Sequence, residues 1–187
     1  MSESPTKQTV VEVLIQDHRE VDQLFEQARA AASGESRREL ADQIIAELVR
    51  HSVAEEQYLY PAVREHLANG DERADHEISE HQEAEELMKE IEKLDADDPE
   101  LAAKLQKLEH EIKHHVAEEE GEVFPALQEK MGAHELVDLG EKVQAAKEKA
   151  PTRPHPSSPN TPPLNKMLAP GAGLVDRLRD KLTGRDV

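Results

Sequence analysis

The 187-residue chain has no cysteine and no tryptophan. Without thiols there is neither a disulfide nor a thiolate ligand, so any metal it holds must sit on imidazole and carboxylate. Aromatic side chains are limited to Phe25, Tyr58, Tyr60 and Phe124, which leaves the core to aliphatic residues. No apolar run approaches the roughly 18 residues of a spanning helix. The opening stretch MSESPTKQTV lacks the apolar segment of a secretory leader. The expectation is a cytoplasmic protein with no membrane span. Positive charge is also scarce: 23 basic residues face 41 acidic ones, for a formal net charge of −18. A phosphate backbone demands a basic footprint, so no nucleic-acid partner is expected.

The charge is unevenly spread. Residues 1–150 carry 17 basic and 38 acidic residues, net −21, whereas residues 151–187 carry 6 and 3, net +3. Composition changes at the same place. Before it, Ala, Leu, Glu, Lys and Gln dominate, which favours helix over sheet. Val11, Leu14, Ile15 and Phe25 share a helical face with His18. Leu40, Ile44 and Leu48 lead at the same spacing to His51. Ile78, Leu87, Met88 and Ile91 mark a third helix. Leu101, Leu105, Leu108 and Ile112 mark a fourth, with Asp98 and Pro99 placed to start it. Short connections make such neighbours antiparallel, so the fold class is all-α: an up-down-up-down four-helix bundle over residues 8–130, with a short accessory helix at 131–150. Residues 151–170 hold most of the eleven prolines and read as a linker. Residues 171–187 form a basic amphipathic tail. It either caps its own bundle or docks a protein partner or anionic surface.

Two stretches repeat: RHSVAEEQYLYPAV at 50–63 and HHVAEEEGEVFPAL at 114–127. The distances His18 to His51 and His81 to His115 are 33 and 34 residues, as in a duplicated helical hairpin. Residues four apart on a helix lie about 6 Å apart along the axis on one face, so His51 and Glu55 reach inward together. In the fourth helix His115 and Glu119 continue the apolar stripe, and aligning Pro61 with Pro125 pairs them with His51 and Glu55. The register His114/Glu118, rotated by about 100°, is the alternative. His81 follows Ile78 by three residues. Each helix thus aims an imidazole at the bundle axis and two add a carboxylate. A lone inward histidine is ordinarily a hydrogen-bonded core residue, and glutamates in so acidic a chain ordinarily face water. Four imidazoles and two carboxylates converging together are costly to bury unless they hold metal. His76, His110, His134 and His155 read as surface residues, and His66 as an end cap or exposed site.

LIQDHREVDQLFEQ (14–27), RHSVAEEQYLYPAV (50–63), ISEHQEAEELMKEI (78–91) and KHHVAEEEGEVFPAL (113–127) together resemble the four helical motifs of the hemerythrin-like proteins, or HHE cation-binding domains. The resemblance spans roughly residues 8–130. It implies a bridged non-heme pair of iron ions held by His18, His51, Glu55, His81, His115 and Glu119, with Glu55 and Glu119 as bridges. It implies a small ligand too: dioxygen, peroxide or nitric oxide, with peroxide decomposition as a candidate activity. One departure stands out. Oxygen carriers of the family have a second histidine four residues from the first on the third helix, and here Glu77 and Glu85 occupy those positions. That argues against reversible oxygen carriage and makes Glu85 an additional candidate ligand. Ferritin-like di-iron bundles differ, using Glu-x-x-His on two helices and lone glutamates on the others. Tyr58, three residues after Glu55, either packs or hydrogen-bonds a bound oxygen species.

Overall fold

Thr9 starts the regular structure: its hydroxyl accepts from Glu12 N–H while the Glu12 carboxylate accepts from Thr9 N–H at 2.8 Å. The computed structural model describes residues 7–185 and 187. The leaderless reading of the first six residues, and Asp186 of the tail, lie outside the described residues. The helices are α1 (Val10–Ala30), α2 (Gly34–Ala54), α3 (Tyr60–His66), α4 (Gly70–Ile91), α5 (Glu100–Glu118), α6 (Phe124–Lys130), α7 (Ala133–Lys147) and α8 (Leu164–Thr183). Ser33 caps α2 through Ser36 N–H, and the Asp98 carboxylate takes Glu100 N–H at the start of α5.

Two π-helical turns, Glu55–Leu59 and Glu119–Val123, join α2 to α3 and α5 to α6. Their cause is Pro61 and Pro125. A proline inside a helix lacks an N–H and clashes with the carbonyl four residues back. Here Tyr60 N–H bonds to the Glu55 carbonyl, and Phe124 N–H to that of Glu119, each five residues back. The extra residue lets each rod continue through its proline, and it falls directly after an inward glutamate.

Burial divides the core into two apolar clusters with a polar layer between them. Val10, Val13 and Leu14 of α1 lie in one cluster, and Val21, Phe25 and Ala28 in the other, with buried His18 at the junction. α2 runs the other way, from Ile44 and Leu48 past His51 to Ala54. α4 runs from Ala74 and Ile78 past His81 to Leu87 and Ile91, and α5 returns from Leu101 and Leu108 past His115. The order of these junctions makes the four long rods up-down-up-down. Helix α7 lies across α1 and α2 and closes one cluster with Leu136, Leu139 and Val143.

The tail departs from the expected boundaries. Helix α8 begins at Leu164, inside the stretch expected to be linker, and carries Pro170 within it. The dense prolines end at Pro163, and a single proline costs a helix local bonding rather than its existence. Helix α8 docks through Asn165, Ala169, Gly173, Asp176 and Asp180, a small and polar face. Asp176 accepts from His155 Nε2 at 2.8 Å, and Asp180 pairs with Arg153 at 2.6 Å. Gly173 is required there, since a Cβ would lie 2.4 Å from the Lys149 carbonyl oxygen. The apolar side, including Leu164, Leu168, Val175, Leu178 and Leu182, faces outward. Among the described residues no helix is long and apolar enough to cross a membrane.

Helix α7 meets the start of α1 at Gly140, where a Cβ would lie 2.6 Å from the Gln8 carbonyl oxygen and 2.9 Å from Val10 N. Gly140→Ala is therefore expected to cost about 1–3 kcal/mol by overpacking. A thermal melt should show a fall of several degrees. Gly121→Ala, with open space around it, should show none.

Candidate metal centre

The polar layer is built from two imidazole pairs of matching geometry. The His18 and His51 rings are 4.9 Å apart at 62°, and those of His81 and His115 are 4.8 Å apart at 58°. In each pair the Nε2 atoms approach to 3.3 Å. Every Nδ1 meanwhile faces a carboxylate. His18 meets Glu120 at 2.9 Å, His51 meets Asp17 at 3.3 Å, and His81 meets Glu56 at 3.2 Å. His115 sits between Glu77 at 2.9 Å and Glu80 at 3.0 Å. Asp17 is itself paired with Lys147 of α7. Donation from Nδ1–H to these carboxylates orients each ring with Nε2 directed inward, where the neutral imidazole would offer its lone pair.

The glutamates sit between the pairs. Glu55 turns Oε1 toward His51 Nε2 at 3.1 Å and Oε2 toward His81 Nε2 at 3.3 Å, so one carboxylate spans both halves. Glu119 Oε2 lies 3.5 Å from His18 Nε2 and 3.6 Å from His115 Nε2. Single ligand-type atoms of His18, His51, Glu55 and Glu119 fall within 4.8 Å of one another. So do those of Glu55, His81 and His115, and those of Glu77, His115 and Glu119. Both glutamates are fully buried, yet Glu55 Oε1 and Glu119 Oε2 face only the imidazole Nε2 atoms and have no other polar partner. Four Nε2 atoms converging on two buried carboxylates form, once the imidazoles are neutral, a donor set that fits cations.

The structure brings His18, His51, Glu55, His81, His115 and Glu119 together. His114 and Glu118, one residue earlier in register, stand on the outside of α5, with the His114 side chain 60% exposed. Glu85 is absent from these groups. Four residues on a helix advance 400°, so Glu77 and Glu85 lean about 40° to opposite sides of His81. Glu77 leans to His115, whereas Glu85 faces the 151–169 segment beside Glu56 and His155. Burial and the neighbouring Glu56 push the Glu85 carboxyl up to about 7.

Tyr58 is partly buried, with the Lys166 amino group 4.0 Å above its ring. Tyr60 is the tyrosine at the centre: its hydroxyl lies 3.1 Å from Glu119 Oε1, 3.1 Å from His81 Nε2 and 3.4 Å from Glu55 Oε2. Ordinary helical spacing from Glu55 selects Tyr58. The π turn moves the favourable position to five residues on, and Pro61 is the signal in the sequence that could have found it. Burial and the surrounding carboxylates hold the Tyr60 phenol well above its usual range, so it keeps its proton. Phe124 holds the equivalent place in the second repeat and stacks on His18 at 5.9 Å.

The family described as Hemerythrin HHE cation binding domain matches residues 9–127. The chain belongs to that family. An uncharacterised hemerythrin-like protein of Schizosaccharomyces pombe is 28% identical over 174 residues, covering 92% of this chain and 86% of the relative. A protein of Nostoc sp. named as a DNA nickase is 27% identical over 144 residues, 77% of this chain; the match spans only 40% of that longer relative. The crystal structure of a hemerythrin HHE cation-binding domain-containing protein from Mycobacterium kansasii superposes with a TM-score of 0.66 at 24% identity, over 75% of this chain and 86% of that one. This last likeness shows the shared fold.

Burial opposes charge on His51, but Glu55 and Asp17 outweigh it and raise the imidazole to about 10. Burial likewise opposes charge on His81, while Glu55 and Glu56 raise it to about 9. These raised values make the metal-free fold's stability from both imidazoles complete below about pH 6.5, the ordinary histidine value. It is lost as pH rises through 9 and 10, so metal-free protein should melt lower at pH 10 than at pH 6.5. Ligation requires neutral imidazole. Against the opposing effect of burial, Glu119, Glu77 and Glu80 also hold the His115 imidazole well above its usual value, so metal uptake near pH 7 should release protons from His51, His81 and His115, read with an indicator dye in weak buffer.

Proposed function

We propose that this chain is a non-heme di-iron protein whose centre takes dioxygen, peroxide or nitric oxide, for sensing or detoxification. One observation carries the reading: His51 and His81, one from each imidazole pair, direct Nε2 at a single carboxylate, Glu55, that divides its oxygens between them. His18 and His51 would hold one ion, His81 and His115 the other, with Glu55 and Glu119 shared and Glu77 at hand beside His115. Iron in such a nitrogen and oxygen donor set supplies redox electrons and open coordination positions. The chain's own residues do the rest. The carboxylates on Nδ1 raise the basicity of each imidazole. Tyr60 keeps a hydroxyl proton at the centre, able to donate to Glu119 or to a ligand, and the two apolar clusters exclude bulk water from both sides. The nicking activity named for the Nostoc relative is not carried over, because net −21 on residues 1–150 opposes a phosphate backbone.

Metal analysis with an optical spectrum tests the reading. Two irons per chain and a visible absorption band from the bridged pair are expected, with the band changing on addition of peroxide or nitric oxide. His51→Ala and His115→Ala should each remove at least one iron. Colourless protein that takes up less than one iron per chain would sink the proposal.

The outward apolar side of α8 favours a second role, in which the same protein docks a partner. Leu164, Leu168, Gly171, Val175, Leu178 and Leu182 alternate by four and three residues, the seam of a helix pair, with exposed Arg179 and Lys181 beside it. The occupant with matching chemistry is a helix that is apolar on one face and acidic on its flanks. A synthetic heptad peptide of that design should bind the full chain and lose affinity with added salt. Leu178→Glu should abolish binding while iron content stays unchanged.

A further inference from the structure

The seam between α4 and α5 carries another set of metal-ligating side chains outside the buried centre. His76 and Glu80 lie one turn apart on α4, and His114 and Glu118 one turn apart on α5. Each precedes by one residue a member of the inner set: Glu77, His81, His115 and Glu119. A step of one residue turns a side chain by about 100°, from the bundle axis toward solvent. The outer set therefore consists of two His-x-x-x-Glu pairs facing each other across antiparallel helices.

Each outer glutamate contacts both outer histidines. Glu118 Oε2 lies 2.9 Å from His76 Nε2, and its Oε1 lies 3.9 Å from His114 Nε2. Glu80 Oε1 lies 3.8 Å from His76 Nε2 and 3.3 Å from His114 Nδ1. Ligand atoms of His76, Glu80 and Glu118 all fall within 4.8 Å of one another. Nitrogen and oxygen ligands about 2.0–2.2 Å from one small cation stand comparably close together. Glu80 also reaches inward: its Oε2 accepts from His115 Nδ1 at 3.0 Å. A cleft lined by Glu80, His81, His110, His114 and His115 connects the same seam with the buried imidazoles. Ion pairing accounts for one histidine against one glutamate; here two such pairs cross and share a carboxylate with the inner set.

We propose that His76, Glu80, His114 and Glu118 form a surface site for a divalent first-row cation, zinc or iron(II), from which iron(II) passes along Glu80 to the buried centre. The inward passage rests on the inner set being a metal centre; the surface site does not. The test titrates zinc chloride by calorimetry into iron-loaded protein and into the His76→Ala/His114→Ala variant, and follows iron(II) uptake by both after metal stripping. Both histidines are more than half exposed, so the substitutions leave the core untouched. One zinc per chain beyond the iron is expected in the parent and none in the variant. Iron(II) uptake by the variant should slow about tenfold, the lower end of what loss of a supporting partner costs a metal site. No additional zinc in the parent, or an equal amount in the variant, overturns the surface site. Loss of the zinc with uptake unchanged overturns the inward passage. A chain that takes the outer zinc but never iron overturns the inner reading alone and leaves the surface site standing.

Discussion

The structure depends on one constraint: four imidazoles and two fully buried carboxylates meet at mid-height in the bundle, between two clusters of apolar side chains. Burying an ion without partners costs on the order of several kcal/mol. Every other feature of the layer answers that cost. Five carboxylates, from Asp17, Glu56, Glu77, Glu80 and Glu120, hold the Nδ1 side of the rings. Only the Nε2 side is left to the interior. Outside, each Nδ1 meets a carboxylate; inside, the Nε2 atoms meet only one another, the Tyr60 hydroxyl and the two buried glutamates.

The same constraint explains the two prolines. A straight α-helix would place the residues after Glu55 and Glu119 on a regular 3.6-residue path. The π turns at Glu55–Leu59 and Glu119–Val123 add a residue where the carboxylates leave the backbone, and Pro61 and Pro125 make the insertion the way past a missing N–H. The glutamate, the turn and the proline form one device used twice. Its placement brings Tyr60 rather than Tyr58 over the centre.

The bundle and its inward histidines are legible in the sequence because both follow from one period. Ile44, Leu48 and His51 share a stripe, as do Leu108 and His115, and the stripe alone fixes which imidazoles meet. Choosing His115 over His114 requires only the 100° step. What escapes is whatever ordinary helical geometry misassigns or whatever lies between helices. Tyr60 escapes because the π turn breaks the period. Periodicity ranks Glu77 no higher than Glu85, since both stand 40° from His81 and only the position of α5 decides which side matters. The Nδ1 carboxylates are hidden among 41 acidic residues, where composition singles out none of them. The start of α8 is lost when proline density is averaged over 151–170, although the prolines thin out after Pro163.

The duplicated hairpin is not a perfect copy, and the difference has chemical content. The ring pairs match in distance and tilt, so the repeat reproduces the imidazole geometry on both sides. At the equivalent positions after the two π turns, however, stand a tyrosine and a phenylalanine. Tyr60 brings a hydroxyl within 3.1 Å of His81 Nε2, whereas Phe124 lies flat against His18 and offers no donor. The two halves therefore present a hydroxyl on one side and an apolar ring on the other. The His81/His115 half is the one that carries a hydroxyl, that of Tyr60, with Glu77 bound to the outer nitrogen of His115. It also adjoins Glu80, which links the inner layer to the outer histidines. Uneven decoration of an even scaffold makes the two halves chemically different without changing the fold.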